Sequence, residues 1–186
     1  MADFIADNLR QAVCAEVALV NGGSIRADTI IKPGVLTKRD VLSMLPFNNR
    51  VVKLQVTGAV IRAALENGVS TAAEEVQPGR FPQVSGIRYA FDTSRPPGRR
   101  ITNITIAGKP FDERRTYTLA TTTYLAVEFG DGYEMFRGAT FLVRPEQAPV
   151  ESEILLKAIA SVPAIAPKTD GRIKRVDAAK DKNSCD

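Results

Sequence analysis

The feature that most restricts how this chain can fold lies near its start, where a segment of helical periodicity runs straight into a short apolar stretch. Phe4, Ile5, Leu9, Ala12 and Val13 recur at the spacing of one helix face, and residues 17–20 follow as a run with the length of a buried strand. Asn21-Gly22-Gly23 then stops it. Glycines open backbone conformations that side chains forbid, so this segment is read as a loop at a strand end, a favoured place for a ligand in open α/β sheets.

Further along, Thr37 precedes KRDVLSML with Asp40 three positions on, a helix start of the capping type, and Pro46 ends that helix. Residues 51–56 read as a strand. Thr57 is placed to cap a second helix, whose apolar stripe Val60, Ile61, Ala64 and Leu65 closes at Asn67-Gly68. Residues 70–82, with Pro78, Gly79 and Pro82, read as a loop. Residues 87–91, 101–106 and 117–121 have strand character and are expected to form a three-strand meander, and residues 151–160 form another amphipathic helix. The reading is a mixed αβ (α+β) domain in which helices pack on sheet. A chain of 186 residues that is 44% hydrophobic has material for one well-cored domain, placed at 1–176, with the charged string 177–186 expected to be a disordered tail.

Composition narrows the function. The net charge of +4 comes from 25 basic and 21 acidic residues spread along the chain, which suits an anionic small molecule and calls for no nucleic-acid surface. Histidine is absent, and the cysteines are Cys14, inside the predicted first helix, and Cys185, in the tail. Neither a zinc-finger spacing nor a disulfide framework can be built from that pair. The first residues lack the basic region and apolar core of a signal peptide, and no window reaches the roughly 18 apolar residues of a membrane span, so a soluble chain is expected.

The segment richest in chemistry is Asn21-Gly22-Gly23-Ser24-Ile25-Arg26-Ala27-Asp28, which sets an amide, glycines, a hydroxyl and a guanidinium just after a buried strand. Glycine amides can approach an anion closely, and Arg26 can hold phosphate with a planar fork of donors. By composition alone it is as readily a plain turn. Two more segments stand beside it, Leu45-Pro46-Phe47-Asn48-Asn49 and the stretch from Thr123 through Asp131 to Tyr133. With NGGSIRAD, LPFNN, QVSGIRYAFD and GDGY in that order, the chain resembles the C-terminal domain of 5'-nucleotidases, the family of ecto-5'-nucleotidase and the bacterial UDP-sugar hydrolases.

The resemblance covers nearly the whole chain and implies a layered helix-sheet domain of that type. It implies that Phe47 and Tyr124, the latter a tyrosine where phenylalanine is usual, clamp a nucleobase between two aromatic faces. Taken singly, each ring is as readily core. It implies that Asp131 accepts hydrogen bonds from the ribose hydroxyls, that Asn21 touches the sugar, that Arg26 contacts phosphate, that Asn49 meets the base edge, and that Gly22 and Gly23 allow close approach. The loop before Asp131 is one residue longer than usual, and Phe129 stands where glycine is normal. A further arginine of the family falls ahead of Met1, so weakened phosphate affinity is expected. The family's catalysis belongs to an N-terminal metallophosphatase domain with two divalent metal ions held by aspartate, asparagine and histidines. This chain, lacking histidine, is expected to carry no catalytic or metal-binding residues and no cofactor of its own. The resemblance therefore implies a nucleotide- or nucleoside-binding module, partnered by a metallophosphatase domain in cis or in trans, from a periplasmic or secreted parent. The alternatives are a degenerate fragment with a structural or interaction role, or a subunit that restores hydrolysis with a separate metallophosphatase chain.

Overall fold

A computed structural model of the chain describes residues 1–26, 32–73 and 79–177. The first half runs α1 (Ala2–Ala12), β1 (Val17–Asn21), α2 (Lys38–Met44), β2 (Val51–Thr57) and α3 (Gly58–Gly68). Then follow β3 (Pro82–Ser85), β4 (Ile87–Phe91), β5 (Ile101–Ile106), β6 (Lys109–Pro110), β7 (Thr116–Thr122), α4 (Thr123–Ala126), β8 (Thr140–Val143), α5 (Glu151–Ala160) and β9 (Ile173–Arg175).

The apolar run of β1 dictates the layering. It pairs antiparallel with β3 and parallel with β7, in a five-stranded sheet of order β3-β1-β7-β2-β8. Successive strand residues point to opposite faces, so a strand buried along its whole length needs cover on both sides. On one side, Ala18 and Val20 pack with Ile5, Leu9, Val41, Met44, Ile154 and Leu155 from α1, α2 and α5. On the other, Val17 and Leu19 join Ile61 and Leu65 of α3 and Tyr89, Phe91, Ile104 and Ile106 of a second sheet, ordered β6-β5-β4-β9. Each such aliphatic side chain contributes about 1.5 to 3 kcal/mol on burial, so the alternation along β1 ties both layers to one strand. The mixed αβ reading holds.

Several local expectations are corrected. The capping box of α2 is present, with the Asp40 amide donating to Thr37 Oγ1 at 3.2 Å and the Thr37 amide donating to Asp40 Oδ2 at 2.8 Å. Thr57, by contrast, makes no capping bond; the amides of Gly58 and Ala59 donate to the carbonyls of Arg115 and Glu113, each at 2.9 Å. α3 does end at Asn67-Gly68 as expected, with Gly68 itself helical and its missing side chain making room for the Pro82 ring. The meander does not form. β4 and β5 pair as expected, but β7 lies between β1 and β2 in the other sheet, since an alternating apolar pattern specifies a covered face and not a partner. The end of the expected 70–82 loop begins β3, an edge strand, where the absent N–H of Pro82 costs little. Cys14 sits beyond α1, exposed, with φ of 49°. Cys185 and the expected tail beyond residue 177 lie outside the described residues.

Gly86 joins β3 in one sheet to β4 in the other, with φ of 74°, and a Cβ there would stand 2.4 Å from the Glu16 carbonyl oxygen. Gly86→Ala meets both a disfavoured backbone region and a rigid main-chain neighbour. It is expected to destabilise the fold by roughly 2 kcal/mol in denaturant unfolding.

Candidate functional site

β1 and β7 run parallel and end side by side, and the loops leaving them, with the turn after α2, enclose a cleft of about 470 Å³. That volume is in the usual range of small-molecule sites. Of the residues singled out from the sequence, Asn21, Gly23, Arg26, Phe47, Asn49, Tyr124 and Asp131 line it, and Gly22 does not. Ser24, Gly79 and Glu128 line it as well; of these Glu128 carried no sequence signal, being one acidic residue in a mixed string.

Asp131 is the hub. Asn21 Nδ2 donates to its Oδ2 at 2.7 Å, the Tyr124 hydroxyl donates to its Oδ1 at 3.1 Å, and Asn67 Nδ2 donates to its main-chain oxygen at 3.1 Å. A carboxylate offers about two acceptor positions on each oxygen, so each oxygen of Asp131 keeps about one. Burial, then the charge of Asp131 and the bond to it, push the Tyr124 hydroxyl above its usual range, so that it remains a donor at neutral pH. Asp131 is presented by a turn in which Phe129, Asp131 and Gly132 have φ of 54°, 55° and 78°. Phe129 thus adopts the backbone conformation that glycine takes most easily, and the Arg137 guanidinium lies 4.2 Å from its ring centroid.

Neither ring is buried in the core, although Tyr124 packs against its edge. Phe47 is 52% exposed, and Tyr124 is half-buried beside Gly130, whose absent Cβ would stand 2.1 Å from the Tyr124 ring. The Arg26 amide donates to the Met44 carbonyl at 2.8 Å, tying the glycine loop to the end of α2, and its guanidinium lies 5.4 Å from the Phe47 ring centroid. An aromatic face, a cation and a carboxylate hub therefore share one cleft.

The glycine loop works differently from the sequence expectation. Gly22 and Gly23 have ordinary negative φ, and their amides donate to the carbonyls of Phe81 and Gly79, each at 2.7 Å. They allow main chain to approach main chain, for a Cβ on Gly23 would meet the Gly79 carbonyl oxygen at 3.0 Å. What Gly23 gives the cleft is surface, since its N–H is already used. The Ser24 hydroxyl likewise donates to the Asn21 carbonyl at 2.8 Å. Asn21 Oδ1 is buried with no hydrogen-bond partner among the described residues.

Asn49 carries a connection that the sequence did not announce. Its Nδ2 donates to Oε1 of Glu151 at 3.0 Å, and the Glu151 amide donates back to the Asn49 carbonyl at 2.9 Å. Glu151 is fully buried, and burial pushes its carboxyl up to about 7 against the pull of the Asn49 hydrogen bonds. In the sequence it is an acidic residue in the first turn of a helix, an ordinary placement.

These residues do not fit a two-metal centre. Histidine is absent, and among the described residues no group of three His, Cys, Asp or Glu side chains could hold a metal ion.

Residues 1–138 match the family described as 5'-nucleotidase, C-terminal domain. The chain belongs to this family. A solved 5'-nucleotidase precursor from Thermus thermophilus superimposes on 94% of it with a TM-score of 0.85 and 33% identity. The trifunctional nucleotide phosphoesterase protein YfkN of Bacillus subtilis is 34% identical over 95% of the chain, and the snake venom 5'-nucleotidase of Crotalus adamanteus is 33% identical over 66% of it. The 5'-nucleotidase C-terminal domain seen here spans 35%, 12% and 22% of those three longer chains respectively. The family is one of hydrolases of nucleotide catabolism, and its C-terminal domain is the part this chain shares with them.

Proposed function

We propose that this chain binds the nucleoside part of a nucleotide in the cleft between the ends of β1 and β7, and that phosphate hydrolysis is supplied elsewhere. The observation that carries the reading is the convergence of Phe47, Tyr124, Asp131 and Arg26 on one cleft. Half-exposed aromatic faces suit the flat base, and the two unused acceptor positions of Asp131 suit the paired ribose hydroxyls, which must donate. Arg26, at the rim beside Phe47, is the cation available to a phosphate. Asn21 buttresses the carboxylate through Nδ2.

Two divalent metal ions, when bound in a metallophosphatase domain, would activate water and clamp the phosphoryl oxygens. That domain would lie in cis in a longer parent protein or in trans on another chain, and the larger size of the relatives favours the first arrangement. Kinship with venom enzymes favours a secreted or periplasmic parent. Among the described residues no helix is long and apolar enough to cross a membrane.

Phe47→Ala is expected to weaken adenosine binding about thirtyfold, the ~2 kcal/mol that one base-aromatic contact is worth. Melting temperature should hardly change, because the ring is 52% exposed. Isothermal titration reads the first effect and calorimetric melting the second. Unaltered adenosine affinity in the variant would contradict the assignment of Phe47 to the base.

A further inference from the structure

We propose that Glu151 sets the orientation of the Asn49 side-chain amide and so decides which base edge the cleft accepts, an exocyclic amino group or an exocyclic carbonyl. The proposal rests on the nucleoside reading of the cleft and deepens it.

Asn49 stands between two environments. In front it lines the cleft; behind it lies Glu151, which is buried and forms no part of the lining. A carboxylate can only accept, so the amino end of the amide is turned towards Glu151, and the 3.0 Å bond records this. The carbonyl oxygen of the same amide diverges from its amino group, and among the described residues nothing donates to Asn49 Oδ1, which leaves it to the cleft that Asn49 lines. An acceptor presented to the cleft takes the N–H of an exocyclic amino group, as on adenine or cytosine. It opposes the carbonyl oxygen that hypoxanthine, guanine or uracil places there. The main-chain bond from the Glu151 amide to the Asn49 carbonyl fixes the two residues against each other.

The orientation can reverse only if Glu151 gains a donor. Once protonated, its O–H can donate to Asn49 Oδ1, the amide turns over, and Nδ2 faces the cleft instead. Burial favours that protonation near neutrality, with the carboxyl pushed up to about 7. Charged neighbours do not set it. α5 packs on α1 and α2, where Asp3 and Asp7 pair with Arg172, Arg10 donates to Ser85, Asp40 closes the α2 cap, and Lys38 and Arg39 are exposed. Arg50 donates to the Ala148 carbonyl, while Arg144, Glu146, Glu153 and Lys157 are exposed. The charged groups of the cleft itself are Arg26, Glu128 and Asp131.

Adenosine and inosine test this, because they share sugar and ring stacking and differ at the base edge. Titration of the full chain is expected to favour adenosine about tenfold at about pH 8, with the preference lost or reversed at about pH 5.5. In Glu151→Gln the ratio should not depend on pH, and in Asn49→Ala the preference should vanish. In the free protein, the side-chain amide signal of Asn49 followed by NMR should titrate with a midpoint of about 7 and stop doing so in Glu151→Gln. A ratio flat with pH between two nucleosides that do bind, or an Asn49 signal that does not titrate, overturns the proposal alone. If neither nucleoside binds, it falls together with the nucleoside reading.

Discussion

Gly130→Ala should cost about a hundredfold in nucleoside affinity while leaving the fold nearly as stable as before. A Cβ at this position would stand 2.1 to 2.5 Å from three atoms of the Tyr124 ring, a distance no packed structure sustains. The ring is the part that can yield, since Tyr124 is half-buried and its neighbours in the turn are fixed by the Asn67 bond to Asp131. Swinging it aside removes one aromatic face from the base, about 1 to 3 kcal/mol, and breaks the hydroxyl bond to Asp131, about 1 kcal/mol more. Isothermal titration with adenosine and a thermal melt of the same sample separate the two readouts. A variant that binds as tightly as the wild type would show that Tyr124 does not grip the base.

Glu151 should also impose a pH dependence on stability. Its carboxyl moves from 4.5 in the free side chain to about 7 in the fold, chiefly because burial disfavours the charge. Below about 4.5 the group is neutral in both states and its full contribution is present. Between about 4.5 and 7 the folded chain holds a proton that the unfolded chain has released, so stability falls as pH rises, by about 3 kcal/mol in all. Above that window the loss is complete. Glu151→Gln, permanently neutral, should remove this slope and be the more stable protein at about pH 8. Asp7, held low by bonds from Arg172 and Ser85 against its burial, and Asp177, held low by Arg175 and Thr93, act in the opposite sense. Their effect lies below 3.8, the usual aspartate value, and does not overlap. Urea unfolding across this range measures the slope, and a flat profile in the wild type would contradict it.

The fold was legible where local chemistry decides it. The helix face of Ile5 and Leu9, the buried run of β1 and the Thr37–Asp40 box are written in consecutive residues and appear as read. Partnership between strands is not local. Nothing in residues 116–122 announces that β7 enters the sheet between β1 and β2, because the same alternation would serve a meander. The cleft divides along the same line. The motifs brought together Asn21, Arg26, Phe47, Asn49, Tyr124 and Asp131, but only the packed structure shows the tyrosine hydroxyl spent on Asp131 and the glycine amides spent on residues 79 and 81. Glu151 is 102 positions from Asn49, and no pattern in one sequence links them.

The central claim is that the cleft is a working nucleoside site, and calorimetric titration of the chain with adenosine, beside the Phe47→Ala, Tyr124→Ala double variant, tests it most directly. The account predicts saturable heat in the wild type that disappears in the double variant, with both proteins folded by circular dichroism. No heat from the wild type at about millimolar adenosine, the weak end of specific binding, or equal binding by the double variant, would contradict it.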